Sequence, residues 1–486
     1  MILSHSRNLS KYVVVLDIVG LDVKHLLSSY NSASSDSKIP NISGLVQQEG
    51  EFGYLKPVFP SVTCTVQSSI LTGKYPNEHG IISNGMFDRV NLQTLFWEQS
   101  TNLVQSEKIW DHIKQKNQSA KTALLFWQNS MYSNNDLVIS PRPIHLENGQ
   151  MDMWCYSKPV DYYERLAQKI GEFNLLNYWG PFASFNSSDW ITKSVEYTIE
   201  NNRPQLLFAY FPQIDYSAQK FGKSSPEVTN DLQKIDESVG KIINAVKSAG
   251  IYDETEFILI SEYGFNDVNG AVPINRILRE KGLLKVRTIK GKEYIDFEFS
   301  HAFAMVDHQI AHIYLNNEGK ESKEKIKKIL ADISGIETVC DLDEKRNLHI
   351  DHERSGELIV IAEKDKWFSY YWWFEENTDP SLSNHGTKES NAGEGSDKAP
   401  TFTKTVDIHR KPGYDPLDLF FDPIKKSIST NTSLIKGSHG RPCNVETKEG
   451  LSAFVSSRKI NKPGQTLDGL PLMDCLDIFG ILSSRF

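Results

Sequence analysis

Three near-continuous apolar runs restrict this chain more than anything else in it. They are Tyr12-Val-Val-Val-Leu-Asp-Ile-Val-Gly20, Gln205-Leu-Leu-Phe-Ala-Tyr-Phe-Pro212 and Glu256-Phe-Ile-Leu-Ile-Ser-Glu-Tyr-Gly264. A strand wet on one face alternates apolar with polar residues. A run that is apolar throughout reads as a strand buried on both faces, which is the condition of a parallel sheet. Helical patterns fall between the runs, at Val23 to Tyr30, Asp189 to Asn201 and Leu232 to Ala249, the last followed by a Gly250 stop. The alternation predicts an α/β fold: a doubly wound, mostly parallel sheet flanked by helices. Each run also has an acid at or just past its carboxyl end, namely Asp17, Asp215 and Glu262. Ligands bind at that edge of open α/β sheets, so the three acids are candidate metal ligands. For Asp17 the plain alternative is a helix cap, but Gly20 stands between it and the helix.

The stretch from Pro60 to Asn84 supplies a candidate nucleophile. It opens with a hydroxyl-bearing turn, Pro60-Ser-Val-Thr-Cys-Thr65, and continues as a short amphipathic helix predicted over Val66 to Leu71. Thr72-Gly73 is a helix stop, and a polar loop runs on through His79-Gly80 to Asn84. A hydroxyl just before a helix sits beside unpaired N–H groups and the positive end of the helix dipole, a good place to attack an anionic phosphorus. Taken alone, Thr63 or Thr65 is equally well an N-cap.

The chain has 486 residues, room for one large α/β domain with insertions or for two to three domains. We expect a core from 1–275 and 401–486, carrying an aromatic-rich insertion at about 88–189. An α+β unit and a polar, Gly/Ser-rich loop are expected as an insertion over 276–400, and a last helix is expected to begin near Gly469. The net charge of −9, with no basic stripe, argues against coating nucleic acid. The five cysteines are scattered and form no CxxC pair, so neither a disulfide scaffold nor a cysteine zinc knuckle is expected, and a reducing compartment fits best. The apolar run Tyr12 to Leu21 is interrupted by Asp17, too short to span a bilayer and without a cleavage site. The expectation is a cytoplasmic protein.

Taken in order, Asp17, Thr63, Asn84, Asp215, Glu262 and His439 resemble the alkaline phosphatase superfamily. The nearer likeness is to its nucleotide pyrophosphatase/phosphodiesterase branch, and the chain is also similar to phosphonoacetate hydrolases. The resemblance covers most of the chain and is carried by Pro60-Ser-Val-Thr-Cys-Thr65, by Thr72-Gly-Lys-Tyr-Pro with His79-Gly-Ile, and by Ser438-His-Gly440. It implies Thr63 as nucleophile and metal contact, Asn84 as a donor to a phosphoryl oxygen, and metal ligation by Asp17, Asp215 and His439. It further implies two divalent metal ions, zinc first with manganese or magnesium as alternatives, and a hydrolase of phosphodiester or phosphoanhydride bonds working through a phospho-threonine. The partner it implies is a small phosphorylated substrate. The same scaffold also suits a phosphonate hydrolase or phosphomonoesterase, or a metal-poor protein that binds a phosphorylated metabolite.

Two ligand motifs depart from the family pattern. Its Asp-x-x-x-His becomes Asp215-Tyr-Ser-Ala-Gln219, and its Ser-Asp-His-Gly becomes Ser261-Glu-Tyr-Gly264. Gln219, Glu262 and Tyr263 therefore occupy metal positions. Tyr263 is a poor zinc ligand as a phenol, with a free pKa of about 10. His308, His312 and His409 are the available substitutes, and His308 and His312 read first as structural. Asp407, His409, Arg410 and Lys411 form a polar cluster that either meets substrate or stays solvated. Trp97, Trp127, Trp154 and Trp179 suggest a stacking wall for a flat group.

Overall fold

The computed structural model describes residues 10–30, 37–47, 49–148, 150–374, 398–460 and 465–486. Most of the Gly/Ser-rich loop expected across 375–400 lies outside the described residues. Five parallel strands form the middle of a ten-stranded sheet, in the order Thr255–Ile260, Tyr12–Ile18, Leu206–Phe211, Thr122–Leu125 and Leu137–Pro141. The three apolar runs are thus neighbours at the sheet centre. Antiparallel strands extend both sides: Cys155–Lys158 pairs with Leu137–Pro141, and Ser452–Ser456 pairs with Thr255–Ile260.

Strand periodicity decides which side of the sheet each side chain meets. Val13 and Val15 pack on one face, Val14, Leu16 and Ile18 on the other. Asp17 shares the first face by the same alternation. So does Glu262, two residues past Ile260, whose Ile258 and Ile260 belong to that same cluster. The register places Asp17 opposite Ile260, so the acid following that strand projects just beyond it. The helix Thr63–Thr72 covers this face through Val66, Ile70 and Leu71, bringing Thr63 onto the same corner as Asp17 and Glu262.

The helix bearing Thr63 starts three residues earlier than its amphipathic pattern predicts. Val62 is extended at its N-cap position and no local hydroxyl caps it. The cap comes from a distant residue: the Cys64 N–H donates to Asn84 Oδ1 at 2.9 Å. Thr63 is consequently the first helical residue, not the residue before the helix. The helix ends on Gly73 at φ +64°, a left-handed cap that glycine adopts without steric cost.

A second, four-stranded antiparallel sheet has the order Ala302–Asp307, Ile310–Leu315, Leu358–Ala362 and Ile336–Cys340. The apolar cluster it joins includes Ile326 and Leu330 of the helix Lys323–Ala331 as well as Phe59, Phe87 and Phe96. The charged stretch after Asn316 forms two helices, Asn317–Glu321 and Lys323–Ala331. The expected helix start at Gly469 is instead a strand, Leu470–Asp474, pairing with Glu51–Lys56; the helix follows at Asp477–Ser483. Pro471 and a partner strand with free edge groups favour the extended form there. All five cysteines are free thiols. No helix among the described residues is long and apolar enough to cross a membrane.

Candidate functional site

A cavity enclosing about 180 Å³ opens above the carboxyl edge of the central strands. Thr63, Asp215, Tyr263 and His308 form its floor, and Trp97, Trp179, Tyr178, Tyr210, Tyr216 and Tyr414 supply most of its aromatic wall. Among the residues lining it there is no lysine or arginine. Asp17, Glu262, Gln219 and His439 lie immediately beneath the floor, each at most 1% exposed.

The first corner holds Asp17, Glu262 and Thr63. Gln67 Nε2 donates to Asp17 Oδ2 at 3.1 Å, and its own Oε1 is held by the Gln128 N–H at 2.8 Å. Asp17 Oδ1 and both oxygens of Glu262 receive no hydrogen bond. Burial pushes the Asp17 carboxyl up to about 7, against the pull of Glu262 and Gln67. Burial and then the neighbouring Asp17 push Glu262 well above the carboxylate range. Two facing buried carboxyls need a proton or a cation to coexist, and no lysine or arginine pairs with either among the described residues. Hard oxygens with a Thr63 hydroxyl beside them suit a divalent cation of the magnesium, manganese or zinc type.

The second corner is assembled differently. Asp215 lies in the first turn of the helix Gln213–Phe221, so Gln219 is one turn on and faces it. Gln219 Nε2 donates to Asp215 Oδ2 at 2.6 Å, and the Tyr414 hydroxyl donates to Gln219 Oε1 at 3.1 Å. The Tyr263 hydroxyl stands 3.0 Å from Thr63 Oγ1 and 3.5 Å from Asp215 Oδ1. His439 Nε2 is 3.7 Å from Asp215 Oδ1 and has no hydrogen bond, while its Nδ1 meets the Ser61 carbonyl at 2.7 Å. Burial, then the charge on Glu262, push Asp215 well above its usual range. Burial followed by Asp215 and Glu262 does the same to Tyr263, which stays a phenol. Four rings stack in a row: Tyr263 on His439 at 3.6 Å, His439 beside His308 at 3.8 Å, and His308 on Tyr414 at 3.8 Å. Among the described residues, no three His, Cys, Asp or Glu side chains are arranged to hold a metal ion.

Asp307 is the residue that sequence reasoning passed over. Fully buried, it accepts from the Asn84 N–H at 2.9 Å, from Asn84 Nδ2 at 3.1 Å and from the Ser83 hydroxyl, and its Oδ1 lies 2.7 Å from His308 Nδ1. Asn84 is thereby fixed between Asp307 and the Thr63 helix, and it lines a separate small cavity with Cys64. His308 occupies a two-residue hairpin turn at φ +60°, a conformation that asparagine and glycine take more readily, and its Nε2 is unpartnered. The Asp-His pair at 307 and 308 was visible in the sequence, but nothing there showed a tight turn delivering it to the main sheet.

Of the other candidates, His312 is structural: it accepts the Gly356 N–H and meets the Ile82 carbonyl. His409 and Asp407 lie at the cavity wall. Lys411 is buried away from it, paired with Asp415 and Asp418. Arg410 only meets Asp407 at the surface. Trp97 and Trp179 face the cavity, whereas Trp127 is core against Phe208 and Trp154 packs beside Tyr163.

The sequence model describing type I phosphodiesterases / nucleotide pyrophosphatases matches residues 13–415. A pyrophosphatase/phosphodiesterase of Schizosaccharomyces pombe is 25% identical over 264 residues, 52% of this chain and 44% of that protein. Venom phosphodiesterase 2 of Crotalus adamanteus is 25% identical over 239 residues, 48% of this chain and 25% of the enzyme. The matched stretch thus spans less than half the length of these relatives. Two solved structures share the fold over 98% of this chain. Murine ectonucleotide pyrophosphatase/phosphodiesterase 5, an inactive variant in complex with AMP, has a TM-score of 0.58 at 13% identity and is covered to 94%. Phosphonoacetate hydrolase from Sinorhizobium meliloti, in complex with phosphonoacetate, has a TM-score of 0.59 at 12% identity and is covered to 96%.

Proposed function

Because this chain belongs to the type I phosphodiesterase / nucleotide pyrophosphatase family, we propose that it hydrolyses phosphodiester or phosphoanhydride bonds with Thr63 as nucleophile. The observation that carries this reading is the position of Thr63: first residue of its helix, on the cavity floor, beside buried carboxyls that no basic residue compensates among the described residues. Thr63 Oγ1 attacks phosphorus, forming an Oγ–P bond as the bond to the leaving oxygen breaks, and the Thr63 proton passes to the departing oxygen. The helix dipole favours the anionic group brought there. The Tyr263 hydroxyl holds Thr63 Oγ1 toward the cavity. Asp17, Glu262 and Thr63 are the residues that would hold a divalent cation, which when bound supplies neutralisation of phosphoryl charge and a lower pKa for the Thr63 hydroxyl. Water then cleaves the Oγ–P bond and frees Thr63. Asp307 positions Asn84, which caps the Thr63 helix and keeps its first turn in place.

The wall favours a diester over a monoester. With Asp215 and Asp407 lining the cavity and no cationic side chain, a singly charged phosphodiester meets less repulsion than a doubly charged monoester. The aromatic wall suits a flat leaving group such as a base or an aryl alcohol. The test compares turnover of bis(p-nitrophenyl) phosphate with p-nitrophenyl phosphate and phosphonoacetate on one preparation. The diester is expected to lead, and Thr63→Ala to abolish its hydrolysis. Full residual activity in Thr63→Ala would overturn the assignment.

A further inference from the structure

We infer that this chain binds a single divalent cation, at Asp17, Glu262 and Thr63, and that hydrogen bonds through Tyr263 and Gln219 close the Asp215 corner in place of a second ion. The inference rests on the reading of the site as a cation-dependent one and departs from the two ions that the family resemblance implies. It stands on the contrast in carboxylate oxygens, the unpartnered atoms at the second corner being the imidazole nitrogens His308 Nε2 and His439 Nε2. At the first corner three carboxylate oxygens, Asp17 Oδ1 and both of Glu262, are buried without a donor. An isolated buried carboxylate is costly unless a cation or proton meets it.

At the second corner both Asp215 oxygens are already engaged. Oδ2 accepts from Gln219 Nε2 at 2.6 Å, and Oδ1 faces the Tyr263 hydroxyl at 3.5 Å. The Gln219 carbonyl oxygen, the one group on that side chain able to ligate a cation, is taken by the Tyr414 hydroxyl at 3.1 Å. The amide cannot simply turn round. Its N–H side is the only side a carboxylate accepts from, so the Asp215 contact fixes its orientation. Seating an ion on Asp215 Oδ2 would displace the Gln219 N–H from its 2.6 Å contact and leave it only the Tyr414 oxygen at 3.0 Å. The stacked rings of Tyr263, His439, His308 and Tyr414 fill the space beside it.

The Tyr263 hydroxyl then has a use of its own. It lies between Thr63 and Asp215, and its single proton can turn from Asp215 Oδ1 to an oxygen bound to phosphorus at Thr63. A neutral donor aimed at developing charge does part of what a second cation does.

The experiment strips the full chain with chelator, re-equilibrates it with Mn²⁺ and separately with Zn²⁺, and counts bound metal per chain by dialysis and elemental analysis. One equivalent is expected. Asp17→Asn and Glu262→Gln should each weaken it at least tenfold, and two variants are used so that one misfolded protein, recognised by circular dichroism, does not decide the matter. His308→Ala and Gln219→Ala should retain the single equivalent. Gln219→His combined with Tyr263→His should raise the count to two. Two equivalents in the unaltered chain would overturn the inference. So would one equivalent that survives Asp17→Asn but is lost in His308→Ala, which would place the ion among Asp215, His308 and His439. No bound metal would overturn it as well, while leaving the role of Thr63 to be judged by its own adduct.

Discussion

The two acid corners under the cavity are close neighbours with opposite character. The Asp17–Glu262 corner is built by the ends of adjacent parallel strands and leaves three carboxylate oxygens unsatisfied. The Asp215 corner is closed by residues from far along the chain, Tyr263, Tyr414 and the His308 turn, and its carboxylate oxygens are engaged. Two neighbouring acids can thus sit in opposite hydrogen-bonding environments. One corner holds carboxylates that call for a cation, while the other is closed by an amide, rings and hydroxyls.

The contrast breaks most readily at the carboxylates. Glu262→Gln should lower diester turnover about 10²–10³-fold, as loss of a principal electrostatic group at a reacting centre does, whereas Gln219→Ala should cost less than about tenfold. Equal losses, read as kcat/KM, would mean the corners are equivalent. Next in size is the support of the second corner. Tyr414 belongs to the segment anchored by Lys411, which is 1% exposed and meets Asp415 at 3.0 Å and also Asp418. Lys411→Met leaves two buried acids uncompensated and should destabilise the fold by about 3–5 kcal/mol in urea denaturation.

The same triad gives the second corner a pH signature. Burial pushes the Asp418 carboxyl up to about 7 despite Lys411. Between roughly pH 4 and 7 the folded chain keeps a proton there that the unfolded chain releases. With the folded pKa raised, this group's contribution to stability falls as pH rises through that window. Asp418→Asn should therefore flatten the difference in denaturation midpoint between pH 5 and pH 8; an unchanged slope would assign the dependence elsewhere. The smallest effect concerns the wall. Trp179, whose Nε1 donates to Asp418 at 3.4 Å, faces the cavity, and Trp154 does not. Trp179→Ala should raise KM for an aryl diester about tenfold, and Trp154→Ala should leave it within about twofold.

The first corner was legible in the sequence for a physical reason. Strand runs declare themselves by apolar continuity, period-two alternation assigns faces, and an acid at the strand end inherits its face from Val13, Val15, Ile258 and Ile260. The second corner was not. Gln219 was visible as a departure, but its partner Tyr414 is 195 residues away in an irregular Pro- and Gly-bounded segment with no period to read. Asp307 ends one strand and His308 opens the tight turn to the next, and no sequence pattern marked that turn or what it touches. The Thr63 helix was read three residues short because its cap, Asn84, is supplied from outside the helix. The aromatic wall was half legible: four tryptophans were visible, and only packing separates Trp97 and Trp179 from Trp127 and Trp154.

The central claim is that Thr63 becomes covalently bonded to phosphorus. Acid quenching of the protein during turnover of bis(p-nitrophenyl) phosphate, followed by peptide mass spectrometry, tests it directly. The account predicts an aryl-phosphoryl adduct on Thr63, absent from Thr63→Ala. Sustained turnover with no adduct on Thr63, or an adduct on another residue, would contradict it.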